Sequence, residues 1–162
     1  MNLSVETLVE CESWRSIADL DALIERCLSA ALAETGERPR EGCEVNLLFC
    51  DDAKIQGLNA RFRGIDKPTN VLSFPGPGDL ATTLLLGDIA IAYETVAREA
   101  QEQGKPLPHH LCHMIVHGFL HLLGYDHETD EEAEAMEADE ISVLRQLGIA
   151  DPYGEHAEPR GC

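Results

Sequence analysis

Positive charge is scarce in this chain: 12 lysines and arginines stand against 30 aspartates and glutamates in 162 residues, a formal net charge of −18. Phosphate recognition normally draws on lysine and arginine, so this balance by itself argues against a general nucleic-acid surface. Long apolar runs are also missing. No stretch approaches the roughly 18 to 20 apolar residues that span a bilayer, which predicts no membrane association. The N-terminus, MNLSVETLVECESW, carries acid where an export signal would be basic, and it has no long apolar core. The six cysteines, at 11, 27, 43, 50, 112 and 162, include no C-x2-C pair and no disulfide-scaffold spacing. Together these absences predict a cytoplasmic protein with reduced thiols. No repeat and no interdomain linker interrupts the chain, so it reads as one domain over 1–148 followed by a disordered tail over 149–162.

The acid is unevenly spread. Residues 111 to 162 hold twelve acidic and two basic side chains, whereas residues 51 to 75 hold three acidic and four basic. Lys54, Arg61, Arg63 and Lys67 thus form one of the few basic neighbourhoods, which softens the argument against nucleic acid.

Alternation over residues 2 to 8, with Leu3, Val5 and Thr7 on one side, predicts a first strand. Ser16 can cap a helix to about residue 34, in which Ile17, Leu20, Ile24, Cys27, Leu28 and Ala31 recur at helical spacing. A strand buried on both faces is expected over 44 to 50, then a short helix capped by Asp51 or Asp52 and ending near Ala60. Residues 61 to 70 read as a loop, VLSF (71 to 74) as a strand stopped by Pro75, and 84 to 92 as a further strand interrupted by Gly87 and Asp88. Helices follow over 93 to 103, along the histidine-bearing stretch, and from Thr129 or Asp130 to about Gln146, the last with its glutamates facing water. Four strands and about five helices in the order βαβαββααα predict an α+β fold, a small mixed sheet with one buried helix packed across it.

That buried helix lies within LCHMIVHGFLHLLGYDH, residues 111 to 127. His117 and His121 are four apart and share a helix face; Gly124 can end the helix and reverse the chain, returning His127 to the same point. Three imidazoles with an open fourth position form the ligand set of a catalytic zinc. Such an ion would lower the pKa of bound water toward about 7 without a carboxylate base. The spacing resembles the zinc helix of metzincin proteases, except that Gly118 stands where those enzymes place the glutamate that serves as general base. A zinc metalloprotease or amide hydrolase built on this helix would lack its proton acceptor.

Around this centre Arg63, beside Gly64, is the candidate to grip a phosphate and stabilise a phosphoryl transition state; pairing with Asp66 is its bland alternative. Asp88 either holds a ligand histidine or makes a turn, and Asp126 either orients an imidazole or caps the turn. His113 lies too far along the helix from His121 to be a third ligand and packs or hydrogen-bonds instead, while His109 and His110 are expected at the surface. Thr69, Asn70 and Ser73 suit either a substrate backbone or a strand start.

Three blocks, LNARFRGIDKPTNVLSFP (58 to 75), LGDIAIA (86 to 92) and HGFLHLLGYDH (117 to 127), closely resemble the YbeY-type bacterial rRNA maturation factors in order and spacing. The likeness covers most of residues 43 to 127. It implies a zincin-like α+β fold and a single-strand-specific endoribonuclease with one zinc on His117, His121 and His127, and Arg63 as the arginine important for activity. It also implies work on ribosomal RNA, above all the 3′ end of the small-subunit RNA, in ribosome quality control. Asn70 departs from the aspartate many members carry. The acidic surplus suggests that contact with a ribosomal protein of the small subunit, or with another assembly factor, delivers the substrate. Water and the ribose 2′-hydroxyl both remain open as nucleophile. A ribosome assembly factor with a structural metal is the non-catalytic alternative.

Overall fold

A computed structural model describes residues 2–153. Its elements are β1 (Ser4–Val9), a 3-10 turn (Glu12–Ser16), α1 (Leu20–Thr35), β2 (Glu44–Cys50), α2 (Asp52–Arg63), β3 (Val71–Pro75), β4 (Leu85–Ala92), α3 (Tyr93–Glu102), α4 (Leu107–Leu122) and α5 (Asp130–Gln146). The strands form one mixed sheet in the order β1-β2-β4-β3; β1, β2 and β4 run parallel and β3 is antiparallel to β4. This is the α+β architecture expected from the element pattern.

Alternating residues of the strands face opposite layers. Val45, Leu47, Phe49, Ile89 and Ile91 join α1, α4 and α5 in the main core, whereas Cys50, Leu72, Ala90 and Ala92 form a smaller cluster with Ile55 of α2. α4 lies across the first of these faces. It touches β3 and β4 on one side and α1, α3 and α5 on the others. Its residues Leu111, Ile115, Val116, Phe119 and Leu120 have no exposed surface. A helix apolar on nearly every side is stable only when enclosed in this way.

Four departures from the sequence reading have physical causes. Ser16 does not cap α1, because its hydroxyl donates to Ser13 O within a separate turn. That turn exists to bury Trp14, whose Nε1 donates to Cys50 O at 2.9 Å and whose ring meets Phe49 and Tyr93 edge-on. α2 continues past Ala60 to Arg63 and stops at Gly64, so Arg61 and Arg63 occupy a last helical turn, where cations complement the helix dipole. α4 begins at Leu107, earlier than the histidine stretch, because Pro108 falls in the first turn, where its missing N–H costs nothing. Finally, the start of the tail is packed: Pro152 is buried and Tyr153 half-buried against the body. The rest of the expected disordered tail, 154–162, lies outside the described residues.

Candidate metal centre

His117 and His121 project from the last two turns of α4. Beyond them the chain reverses at Gly124, whose φ of 107° is open to glycine alone at little cost. Hydrogen bonds from Gly124 N to His121 O (3.1 Å) and from Tyr125 N to Leu120 O (3.0 Å) close the turn. His127 returns beside the helix, its backbone N–H held by the Asp126 carboxylate at 2.8 Å. Of the two roles open to Asp126, the structure therefore shows the turn cap. The rings of His121 and His127 are 5.0 Å apart, and those of His117 and His121 are 4.7 Å apart.

One ring nitrogen from each of His117, His121 and His127 lies within 4.8 Å of the other two. Bonds of about 2.0–2.1 Å from nitrogen to a first-row divalent ion place tetrahedral ligand atoms about 3.4 Å apart, within reach of a side-chain adjustment. The second nitrogen of two rings is already engaged. His117 Nδ1 meets Glu140 Oε2 at 2.6 Å, and His121 Nδ1 meets the Tyr125 carbonyl at 3.0 Å. A carbonyl or carboxylate only accepts, so each Nδ1 carries the proton and each Nε2 lone pair is left for an ion, the pattern of ligating histidines. Burial, with the neighbouring His117, holds His121 below the ordinary imidazole range. The neutral form favoured there is the one that binds metal. The donor set therefore fits a divalent cation.

Two of the three histidines, His121 and His127, line a cleft of about 470 Å³ together with Arg63, Ser73, Gly76 and Tyr125, while His117 faces a neighbouring pocket beside His113 and Tyr153. Arg63 is exposed, and its guanidinium donates a long 3.5 Å hydrogen bond to Ser73 O. It forms no ion pair among the described residues; Asp66, its suggested partner, accepts from Gln56 instead.

Other candidates separate from the site. Asp88 accepts from Asn46 Nδ2 at 2.8 Å and lines a groove with Leu8 and Phe62, away from the histidines. Its reading as the carboxylate behind a ligand histidine fails. Ser73 donates to Gly118 O at 3.0 Å and so ties β3 to α4. His109 is exposed as expected, but His110 is buried and bonds Glu99 at 2.8 Å. Asn70 donates to the same Glu99 carboxylate.

The glutamates of α5 are expected to face water, yet Glu140 is fully buried. Its carboxylate bridges His113 and His117 and also accepts from the Tyr153 hydroxyl. Burial alone would push this carboxyl up, but the hydrogen bonds from His113 and His117 outweigh it and hold it at about 2. The signal was present in the spacing: Met136, Glu140, Val143 and Leu144 share one helical stripe and are all buried. Tyr153, in the supposed tail, carried no comparable signal.

Gly118 faces the sheet. A Cβ there would lie 2.9 Å from Ile89 Cγ2 and 3.1 Å from Ser73 Oγ, so the position that proteases give to their glutamate base is occupied by β3 and β4.

Two histidines on a buried helix and a third on the turn beyond it, beside a cleft on an α+β body, give the donor set of a divalent-metal site. The family described as endoribonuclease YbeY matches residues 8–148. A relative named endoribonuclease YbeY from Methylocella silvestris is 53% identical over 151 residues, covering 93% of this chain and 86% of its own length. Another with that name, from Rhodopseudomonas palustris strain BisB18, is 50% identical over 157 residues, covering 94% and 93%. The solution structure of TM1509 from Thermotoga maritima superposes with a TM-score of 0.56 at 27% identity, covering 90% of this chain and 92% of that one. The chain belongs to the endoribonuclease YbeY family.

Proposed function

We propose that this chain is a zinc-dependent endoribonuclease that cuts single-stranded RNA during maturation of the small-subunit rRNA 3′ end and in ribosome quality control. One observation carries the reading: two histidines of the cluster, His121 and His127, line the same cleft as Arg63, an arginine without an ion-pair partner among the described residues. His117, His121 and His127 hold the ion, and an all-imidazole donor set suits zinc. A divalent ion there supplies Lewis acidity, polarising a phosphoryl oxygen and making water or a hydroxyl more acidic. Arg63 presents a planar fork of N–H donors that matches two phosphate oxygens and stabilises the negative charge that grows on them. Because Arg63 is exposed and has no ion pair among the described residues, binding the phosphate breaks none of the pairs seen there.

Amide hydrolysis is disfavoured by the same geometry. Gly118 supplies no base, and the packing around it leaves no room for one. The large acidic surplus supports delivery of the RNA by a ribosomal protein or the small subunit rather than capture of free RNA. That setting is cytoplasmic, and among the described residues no helix is long and apolar enough to cross a membrane.

The test is to incubate zinc-loaded full-length chain with single-stranded RNA, duplex RNA and an unstructured peptide. Cutting of the single strand, lost in His121→Ala and in Arg63→Ala, supports the proposal. Cutting of peptide but not RNA overturns it. A 2′,3′-cyclic phosphate end would identify the ribose hydroxyl as nucleophile. An Arg63→Ala chain that supports normal rRNA processing in cells would favour a non-catalytic assembly factor.

A further inference from the structure

We infer that Glu140 is the positioning residue of the metal centre: from α5 it fixes the ring of His117 with its proton on Nδ1, so that Nε2 faces the ion. The inference rests on the reading of His117, His121 and His127 as ligands.

Three features of the carboxylate point this way. First, it sits on the apolar stripe of α5, between Met136 and Val143, where leucine or methionine would fill the same space without the cost of burying a charge. Second, it is saturated by donors: His117 Nδ1 at 2.6 Å on one oxygen, and His113 Nε2 at 2.8 Å with the Tyr153 hydroxyl on the other. Third, the other nitrogen of His113, Nδ1, is buried without a partner among the described residues. A bare lone pair is cheaper to bury than an unpaired N–H, so the His113 proton belongs on Nε2, facing Glu140. His113 and Tyr153 therefore hold one oxygen still while the other orients the ligand histidine. This explains why His113, one turn before His117 on the same face, is a histidine although it is not in the cluster.

The paired charge also works toward the ion. A carboxylate hydrogen-bonded behind an imidazole raises the basicity of the ligating nitrogen, and losing such a partner typically weakens metal affinity by about 10–100-fold.

Zinc affinity of the full chain, measured by competition with a chromophoric chelator at neutral pH, should fall by about 10–100-fold in Glu140→Leu. Glu140→Gln keeps an acceptor without the charge and should show a smaller loss. Melting of the metal-free proteins is measured alongside. An affinity within twofold of wild type in a folded variant, whatever its melting temperature, would reduce Glu140 to a structural role and overturn the inference. If neither variant folds, isotope-edited imidazole spectra of the zinc-loaded wild-type chain decide: a proton on His117 Nδ1 supports the inference, and metal on Nδ1 overturns it. A wild-type chain that binds no zinc would instead sink the ligand assignment itself, so the two failures are distinguishable.

Discussion

Replacing Gly118 by alanine tests whether α4 is pressed against the sheet at the centre of the site. Inside a helix, alanine is normally the better residue by about 0.8–1.0 kcal/mol. Here the added Cβ would meet Ile89 Cγ2 at 2.9 Å, Ser73 Oγ at 3.1 Å and Val71 Cγ2 at 3.3 Å, two of them on stiff β-branched side chains. Overpacking of this kind costs about 1–3 kcal/mol. Disturbing the Ser73 hydroxyl, which donates to Gly118 O, adds about 0.5–1.5 kcal/mol. The costs outweigh the helix gain, and the net effect should be a loss of about 2 kcal/mol, or about 4–8 °C in melting temperature for a domain of this size. Urea unfolding of the metal-free protein can be followed through Trp14, the single tryptophan, which is completely buried. A Gly118→Ala protein as stable as wild type, or more so, would refute the reasoning. So would a folded Gly118→Glu protein that hydrolyses peptide.

Arg63→Ala should leave stability within about 0.5 kcal/mol, since the side chain is exposed, yet slow RNA cleavage on the order of 100- to 1,000-fold. Arg63→Lys should recover only part of that rate, because an ammonium has no fork; full recovery would show that charge alone matters. Zinc at 1,000 times its dissociation constant should stabilise the fold by about 4 kcal/mol, and His127→Ala should remove this increment while the metal-free protein, losing only an exposed ring, melts as before. Burial tends to push the Glu99 carboxyl up, but hydrogen bonds from His110 and Asn70 prevail and hold it below the usual carboxylate range. Its contribution to stability is therefore present above the ordinary glutamate pKa and is lost as pH falls through the depressed folded value. Asn70→Asp would set a second carboxylate against Glu99, costing about 1–3 kcal/mol at neutral pH. One of the pair would then titrate upward, so the penalty should shrink as the pH falls and a shared proton is taken up; a penalty independent of pH would contradict this.

What could be read from the sequence was local. His117, His121, Gly124 and His127 make a pattern within eleven residues, and helical spacing with a glycine turn is enough to bring them together. The element order was equally accessible, because periodicity of 2 or 3.6 is a property of short windows. The misreadings came from partners distant in the chain. The turn at Trp14 is pinned by Cys50, and the burial of His110 depends on Glu99 of the preceding helix. Glu140 was overlooked for a different reason. A run dense in glutamate looks like a solvated face, and the charge count hid the one carboxylate lying on the apolar stripe.

The two residues at positions 117 and 118 show how the fold sets the direction of the ligands. Successive residues on a helix point about 100° apart, so α4 can serve two neighbours at the same level. Gly118 lies against Ile89 and Ser73 of the sheet while His117 reaches Glu140 of α5. Any rotation of α4 that relieved crowding at 118 would swing His117 off its carboxylate. A helix pushed away from the sheet would carry both histidines from the turn that holds His127. A general-base glutamate at 118 would therefore do more than add a functional group to this helix. It would displace the surface that aims the ligands, and this is why the conversion to a peptidase should fail at the level of packing before chemistry is tested.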